Sequence, residues 1–295
     1  MNARDRSEAI FDATAPPGKR APAKYAPVSV VVPCFRAAAT LDDAVASIAA
    51  QTLPPAEVLL VDDASGDDTL DAMRRIAGAY GEDWIKLIAL PTNGGPSRAR
   101  NAGWEKARQP YVAFLDADDC WGPQKLELQM AAIHADPDIA LIAHQMLVRP
   151  RGTPVPVPQK PAQARIVGRG TLLVRNPFPT ASVVLRRDLP FRFDENFSHS
   201  EDYLLWSQIA LSGYRCARIE QVLAIWNMRE NGATGLSDNV VAVHRARRDL
   251  RRKLLRQGLL SRREYVVATT VGMANWVRRG LLHRLRRQGL SRPRP

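Results

Sequence analysis

The chain has 295 residues, 45% of them hydrophobic and 24% charged, which argues against a disordered or low-complexity protein and allows one large domain with appendages, or two domains. Its formal net charge of +12 is unevenly placed: residues 245–295 hold sixteen of the 42 Lys and Arg with only two acids, a net of +14, which leaves −2 for everything ahead of them. The basicity therefore belongs to the tail and says nothing about the part before it.

Residues 1–26 are polar, punctuated by prolines and without an apolar stretch, and read as a flexible leader and not a signal peptide. Val28–Val32, VSVVV, predicts a buried strand by its composition, ended by Pro33. Leu41, Ala44, Val45, Ile48 and Ala49 recur at helical spacing behind Thr40, a residue type that caps helices. Val58–Val61 predicts a second strand and ends in Asp62 and Asp63. A helix through Leu70, Met73, Ile76 and Ala77 follows, then a strand at 85–90. The loop Pro91–Ser97 carries Asn93, Gly94 and Gly95, and Pro96 suits the first turn of a helix running to about Ala107. Tyr111–Leu115 predicts a fourth buried strand, ended by Asp116, Asp118 and Asp119. This alternation predicts βαβ units and a parallel sheet. Beyond it the pattern predicts a helix from Pro123, strands at 139–147, 181–185 and 215–226, a proline-rich loop at 150–161, and a helix over Glu201–Leu211. The three cysteines, Cys34, Cys120 and Cys216, are odd in number and far apart, which argues against a disulfide framework or a zinc site and suits a reducing compartment.

Two strands ending in carboxylates, Asp62–Asp63 and Asp116–Asp119, point to one edge of the sheet if the strands are adjacent and parallel. In open α/β sheets ligands bind at that edge. Carboxylates crowded at the mouth of a buried strand repel one another, and a hard divalent cation shared with substrate phosphates would relieve the conflict. No Walker loop is present, and no GxGxxG follows the first strand, so ATPases and dinucleotide dehydrogenases fit poorly. From this chemistry alone another metal-dependent phosphoryl-transfer enzyme remains an alternative.

Four segments in order, VSVVVPCFRAAATLDDAVASIAAQT, EVLLVDDASGDDT, NGGPSRARNAG and YVAFLDADD, resemble the family 2 glycosyltransferases. The resemblance covers about Pro27 to Trp226. It implies a GT-A fold, an α/β Rossmann-like, mostly parallel sheet flanked by helices, and inverting transfer of a sugar from a nucleotide diphosphate sugar, a UDP-sugar first among them. It implies that Pro33 and the positions after it line the nucleotide base, that Asp63 or Asp62 hydrogen-bonds the base, and that Asn93, Gly94, Arg98 and Arg100 shape or flank the nucleotide segment. Asp116 and Asp118 match a DxD motif for Mn²⁺ or Mg²⁺, with Asp118 the direct ligand and Asp116 nearer the ribose or the water shell. An ED motif follows in HSEDYLLW, where Asp202 takes the role of general base and Glu201 stands beside it, raising its pKa or binding acceptor. There is no QxxRW after it. The nearest stretch is IWNMREN with Arg229, which implies a single transfer to a glycan or lipid-linked acceptor in cell-envelope synthesis in place of processive polymerisation. A catalytically silent nucleotide-sugar-binding module of the same fold is the alternative from a different class.

Residues 237–295 predict basic amphipathic helices, with Leu250, Leu254 and Leu255 on one face and Trp276, Leu281 and Leu285 on another. Such helices lie on anionic membrane surfaces, and no aromatic platform accompanies the charge to suggest nucleic acid. The expected location is cytoplasmic, peripheral on the inner face of the cell membrane, because no run approaches the roughly 20 apolar residues needed to span a bilayer. The expected organisation is the leader, a catalytic unit over 27–236, and the tail.

Overall fold

The computed structural model of the chain describes residues 25–158, 162–228 and 240–287. The leader ahead of Tyr25 and Arg229 with its surroundings lie outside the described residues. Strands β1 (Ala26–Cys34), β2 (Pro55–Asp62), β3 (Ile85–Ala89) and β4 (Tyr111–Phe114) alternate with helices α1 (Leu41–Ala49), α2 (Thr69–Tyr80) and α3 (Gly95–Lys106). They are followed by β5 (Cys120–Trp121), α4 (Lys125–Ala135), β6 (Ile139–Pro150), β7 (Ala164–Ile166), α5 (Arg169–Val174), a 3₁₀ turn at Thr180–Ser182, β8 (Val184–Arg186), α6 (Glu201–Leu211), β9 (Arg215–Met228), α7 (Val240–Arg256) and α8 (Arg262–Arg287).

The sheet runs β3-β2-β1-β4-β8-β6-β9-β5, with β7 on β9. β3, β2, β1 and β4 are mutually parallel, as the βαβ alternation requires. β8 is antiparallel to both β4 and β6, whereas β6 and β9 pair parallel. The fold is GT-A type α/β. One expectation changes here: the two acidic strand ends are not on adjacent strands, because β1 lies between β2 and β4. All three are parallel, so both clusters still reach the same edge. Pro33 does not end β1 either; it stays in register with Val61. Short α5 carries no strong periodic signal and has no counterpart in the sequence reading.

The strands are apolar because both faces are covered. Val30, Val32, Leu60 and Ala113 are fully buried on one side with Leu41, Val45 and Met73 of α1 and α2. Val31, Val61 and Phe114 face the other way, with Trp104 of α3 and with Phe193, Leu205 and Trp206. α3 comes unusually close to the sheet at Gly103, where an added Cβ would stand 2.3 Å from Val31 Cγ1 and 3.1 Å from Val61 Cγ2. That contact sets how near the α3 side chains come to the strand ends.

The tail helices pack on this body. Leu250, Leu254 and Leu260 are buried against Tyr203 and Leu204 of α6. Lys253 pairs with Asp194, and Arg169 of α5 pairs with Glu264 of α8 at 2.5 Å. The leucine face expected to meet lipid is thus occupied by the protein's own core.

Candidate functional site

At the carboxyl ends of β1, β2 and β4 the chain leaves the sheet in three short connections. Two of them hold non-glycine residues in the left-handed region, Arg36 at φ 51° and Ala64 at φ 54°, and Ser200, just ahead of α6, is a third at φ 59°. Left-handed backbone costs L-residues energy and collects at functional sites. The first two connections are tied together, since Arg36 N donates to Ser65 Oγ at 3.1 Å and Ala37 N to Thr69 Oγ1 at 2.9 Å. Phe35 stands 49% exposed at this mouth with the Arg36 guanidinium 5.3 Å from its ring centre. It is an aromatic platform beside Pro33 that residue-type reasoning did not single out.

Asp62 and Asp63 are both buried, and both are engaged. Asp62 accepts from Ser65 N at 3.2 Å and from Ser65 Oγ. Asp63 accepts from Gly94 N at 2.9 Å, Gly95 N at 2.7 Å and Asn93 Nδ2 at 2.9 Å. Asp63, one of the two aspartates expected to meet the nucleotide base, also anchors the Asn93–Gly95 loop, and its buried charge is met by N–H donors. Arg98 turns back to the same loop, donating to Thr92 Oγ1 at 3.0 Å.

Arg100, by contrast, is 5% exposed. Its Nη2 lies 2.7 Å from Asp116 Oδ1 and its Nη1 3.2 Å from Glu201 Oε1. The guanidinium also lies 5.4 Å from the ring centre of Phe193, which belongs to an edge-to-face aromatic group with Phe114 and Trp206. Asn101, next in α3, accepts from Phe193 N and donates to its carbonyl. α3 thus clamps the segment leading to α6 against the sheet, and Arg100 joins two acidic motifs 85 positions apart in the chain, Asp116 and Glu201. Burial opposes the charge of Arg100, but Asp116 and then Glu201 outweigh it and hold the guanidinium firmly charged.

Asp202 lies beside Glu201 at the start of α6. Its carboxylate accepts from Asn176 Nδ2 at 2.8 Å, from Thr180 Oγ1 at 3.4 Å and from Tyr203 N at 2.6 Å. Burial first, and the charge of Glu201 second, raise its pKa to about 6. Asn176 and Thr180 come from the stretch between α5 and β8, Thr180 at the start of its 3₁₀ turn, and no sequence signal pointed to them.

On the other side, Asp116 and Asp118 are half-buried and Asp119 is buried, accepting from Asn227 N at 3.2 Å. Asn227 also donates to the Asp118 carbonyl at 2.8 Å, so β9 braces the acidic turn. Burial, then the charges of Asp116 and Asp118, push Asp119 up to about 9. The cluster carries more negative charge than Arg100 balances, and that excess fits a divalent cation. Among the described residues no group of three or more His, Cys, Asp or Glu side chains is disposed to hold a metal by itself.

Residues 29–196 match the family model described as glycosyl transferase family 2. Over 184 residues, 62% of this chain and 69% of the relative, the chain is 29% identical to the UDP-Glc:alpha-D-GlcNAc-diphosphoundecaprenol beta-1,3-glucosyltransferase WfgD of Escherichia coli. Over 103 residues it is 36% identical to an uncharacterized glycosyltransferase of Haemophilus influenzae; that stretch covers 35% of this chain and only 40% of the relative. Among solved structures, a mannosyltransferase of Pyrobaculum calidifontis in complex with GDP-Man and Mn²⁺ superposes with a TM-score of 0.61 at 20% identity, covering 85% of this chain and 74% of that one.

Proposed function

The chain belongs to glycosyl transferase family 2, and from that premise we propose that it is an inverting, metal-dependent transferase. It moves one sugar from a nucleotide diphosphate sugar, a UDP-sugar first among them, to a glycan or lipid-linked acceptor in cell-envelope polysaccharide synthesis. The observation that carries this is the Arg100 bridge from Asp116 to Glu201, with Asp202 beside it at a pKa near 6. It brings a site for anionic donor groups and a carboxylate base into one cluster.

Asp202 takes the proton of the acceptor hydroxyl as that oxygen attacks the anomeric carbon. Asn176 and Thr180 orient its carboxylate. Glu201 is committed to Arg100 and acts by position and charge. Pro33, Phe35 and Arg36 line the base, Asp62 shapes the turn beside them, and Asp63 acts on the nucleotide through the Asn93–Gly94 loop that it holds. Arg98 stays at the rim. Asp118 and Asp116 would hold Mn²⁺ or Mg²⁺ together with diphosphate oxygens and water, and the cation would neutralise the departing diphosphate. The E. coli relative, whose name gives a UDP-sugar donor and a diphosphoundecaprenol acceptor, and the Mn²⁺ complex of the mannosyltransferase support this choice of donor, acceptor and metal.

The unit over 27–236 carries the chemistry, and the tail over 237–295 holds it to an anionic membrane surface on the cytoplasmic side. No helix among the described residues is long and apolar enough to cross a membrane. Lipid contact falls to α8, where Val266, Val267, Met273 and Trp276 are 40–60% exposed in a stretch without a charge from Tyr265 to Val277, preceded by Arg262, Arg263 and Glu264 and followed by Arg278 and Arg279.

A panel of nucleotide sugars incubated with the protein and Mn²⁺ tests the function, with release of free nucleotide as the readout. One member of the panel is expected to be consumed, and consumption of none sinks the transferase reading. Asp118→Ala keeps its fold, because the change relieves charge repulsion, and loses the strengthening of UDP binding by Mn²⁺. Equal strengthening in that variant removes the metal role.

A further inference from the structure

Between the segment leading into α6 and the first turns of α7 lies a cleft of about 320 Å³. Asn196, Ser198 and His199 line one wall, and Ala242, Arg245 and Asp249 the other. Its volume is that of a small-ligand site. The first wall runs directly into Glu201 and Asp202 through Ser200, whose left-handed backbone (φ 59°) turns the chain at that point. The second wall belongs to α7, outside the stretch matched by the family model.

The charges of the cleft are unequal in their commitments. Asp249 is already met by Arg248 at 3.7 Å and Arg252 at 3.4 Å. Arg245 has no ion pair or hydrogen bond among the described residues, so its planar fork of donors is open to a ligand. His199 uses Nδ1 on Ser198 Oγ, at 3.0 Å, and keeps its other ring nitrogen. Asn196 spends one amide proton on Asp194 Oδ1 at 3.2 Å and keeps the other, and Ser198 and His199, sharing their hydrogen bond, keep one donor between them. An open guanidinium with two neutral donors beside it matches a tetrahedral oxyanion with several acceptor oxygens.

The geometry points to this cleft as the seat of a phosphate group on the acceptor, with Arg245 as its charged clamp and His199, Ser198 and Asn196 as its neutral partners. The inference rests on the transferase reading of Asp202, because the wall that carries Ser198 and His199 leads into α6 at Glu201 and Asp202. It also gives α7 a part in substrate choice, beyond covering α6.

The test is a titration of the full chain, its nucleotide site saturated with UDP and Mg²⁺, followed by the imidazole NMR signal of His199. That signal is assigned by its loss in His199→Gln. Inorganic phosphate and farnesyl phosphate are the two probes. The His199 signal is expected to move saturably, and Arg245→Gln to weaken binding about tenfold, the effect of losing a charge-assisted pair. Arg245 is exposed, so an unchanged melting temperature verifies that the variant is folded. Tighter binding of farnesyl phosphate than of phosphate identifies a lipid-linked acceptor, and equal binding a phosphoryl group on a glycan. A signal that does not saturate, or a titration unchanged in Arg245→Gln, overturns the inference. Nucleotide release from donor by the parent chain is measured separately: its absence counts against the transferase reading, while the titration alone decides the cleft.

Discussion

Asp202 is half-buried beside a second carboxylate, and desolvation first and the neighbouring charge second favour its neutral form. A carboxyl group with a pKa near 6 is ionised at neutral pH and still basic enough to take a hydroxyl proton. In its proposed role as general base Asp202 works only when ionised, so the rate should rise with pH through about 6 and level off above it. Asp202→Asn keeps the shape but gives up one of the two oxygens that accept from Asn176 and Tyr203, and is expected to bind UDP as before while turnover falls ~10²- to 10⁴-fold, about 3–5 kcal/mol. Near-normal turnover in that variant would move the role elsewhere. A different residue carries a stability prediction. Lys125 is fully buried, its Nζ lies 3.8 Å from the ring centre of Trp121, and it has no hydrogen-bond partner. Burial lowers its pKa well below 10.5, the value that stands for the unfolded chain. The unfolded state therefore binds more protons near neutrality, and the penalty is absent above that pKa and grows as pH falls through the window below it. Lys125→Met should gain about 1 kcal/mol at pH 7 in urea unfolding, with the gap to the parent closing towards pH 10.

Helix α3 decides the geometry of the site. Its N-terminal loop is held by Asp63, its middle presents Arg100 and Asn101, and its close approach to β1 and β2 depends on Gly103. Gly103→Ala improves helix propensity by about 1 kcal/mol. The new Cβ meets the Val31 side chain at 2.3 Å, and overpacking against a stiff β-branched neighbour costs about 1–3 kcal/mol. Overpacking should win: the variant is expected to be less stable by about 1 kcal/mol, and to bind UDP more weakly because Arg100 moves with the helix. A variant at least as stable as the parent with unchanged UDP affinity would show that α3 does not set the site.

At the scale of the whole molecule the tail has one face packed on the body and another proposed to meet lipid. Leu250, Leu254 and Leu260 cover Tyr203 and Leu204, so removing everything after residue 239 should uncover α6 and give a chain that aggregates. The opposite face of α8 carries the exposed Val266, Val267 and Met273. Intact protein should sediment with anionic vesicles, less so at high salt, because screening weakens the arginine attraction. The double change Val266→Asp and Met273→Asp should remove the salt-resistant part of that binding with the melting temperature unchanged. Equal sedimentation of both proteins would leave the membrane to some other surface.

The strands and the clusters at their ends were legible in the sequence because each depends on local pattern. Val28–Val32, Val58–Val61 and Tyr111–Leu115 are almost wholly apolar, the last two stop at carboxylates, and Glu201–Leu211 has a helix's spacing and length. What a local pattern cannot hold is the identity of a partner far along the chain. The order that puts β1 between β2 and β4, the joining of Asp116 to Glu201 by Arg100, the support of Asp202 by Asn176 and Thr180, and the use of Asp63 as a loop anchor are all long-range contacts. They exist only once sheet order and helix approach bring those residues together. The tail shows the same division. Its amphipathic periodicity said that one face of α7 must be covered, by lipid or by protein, and the complementary shape of α6 decided for protein.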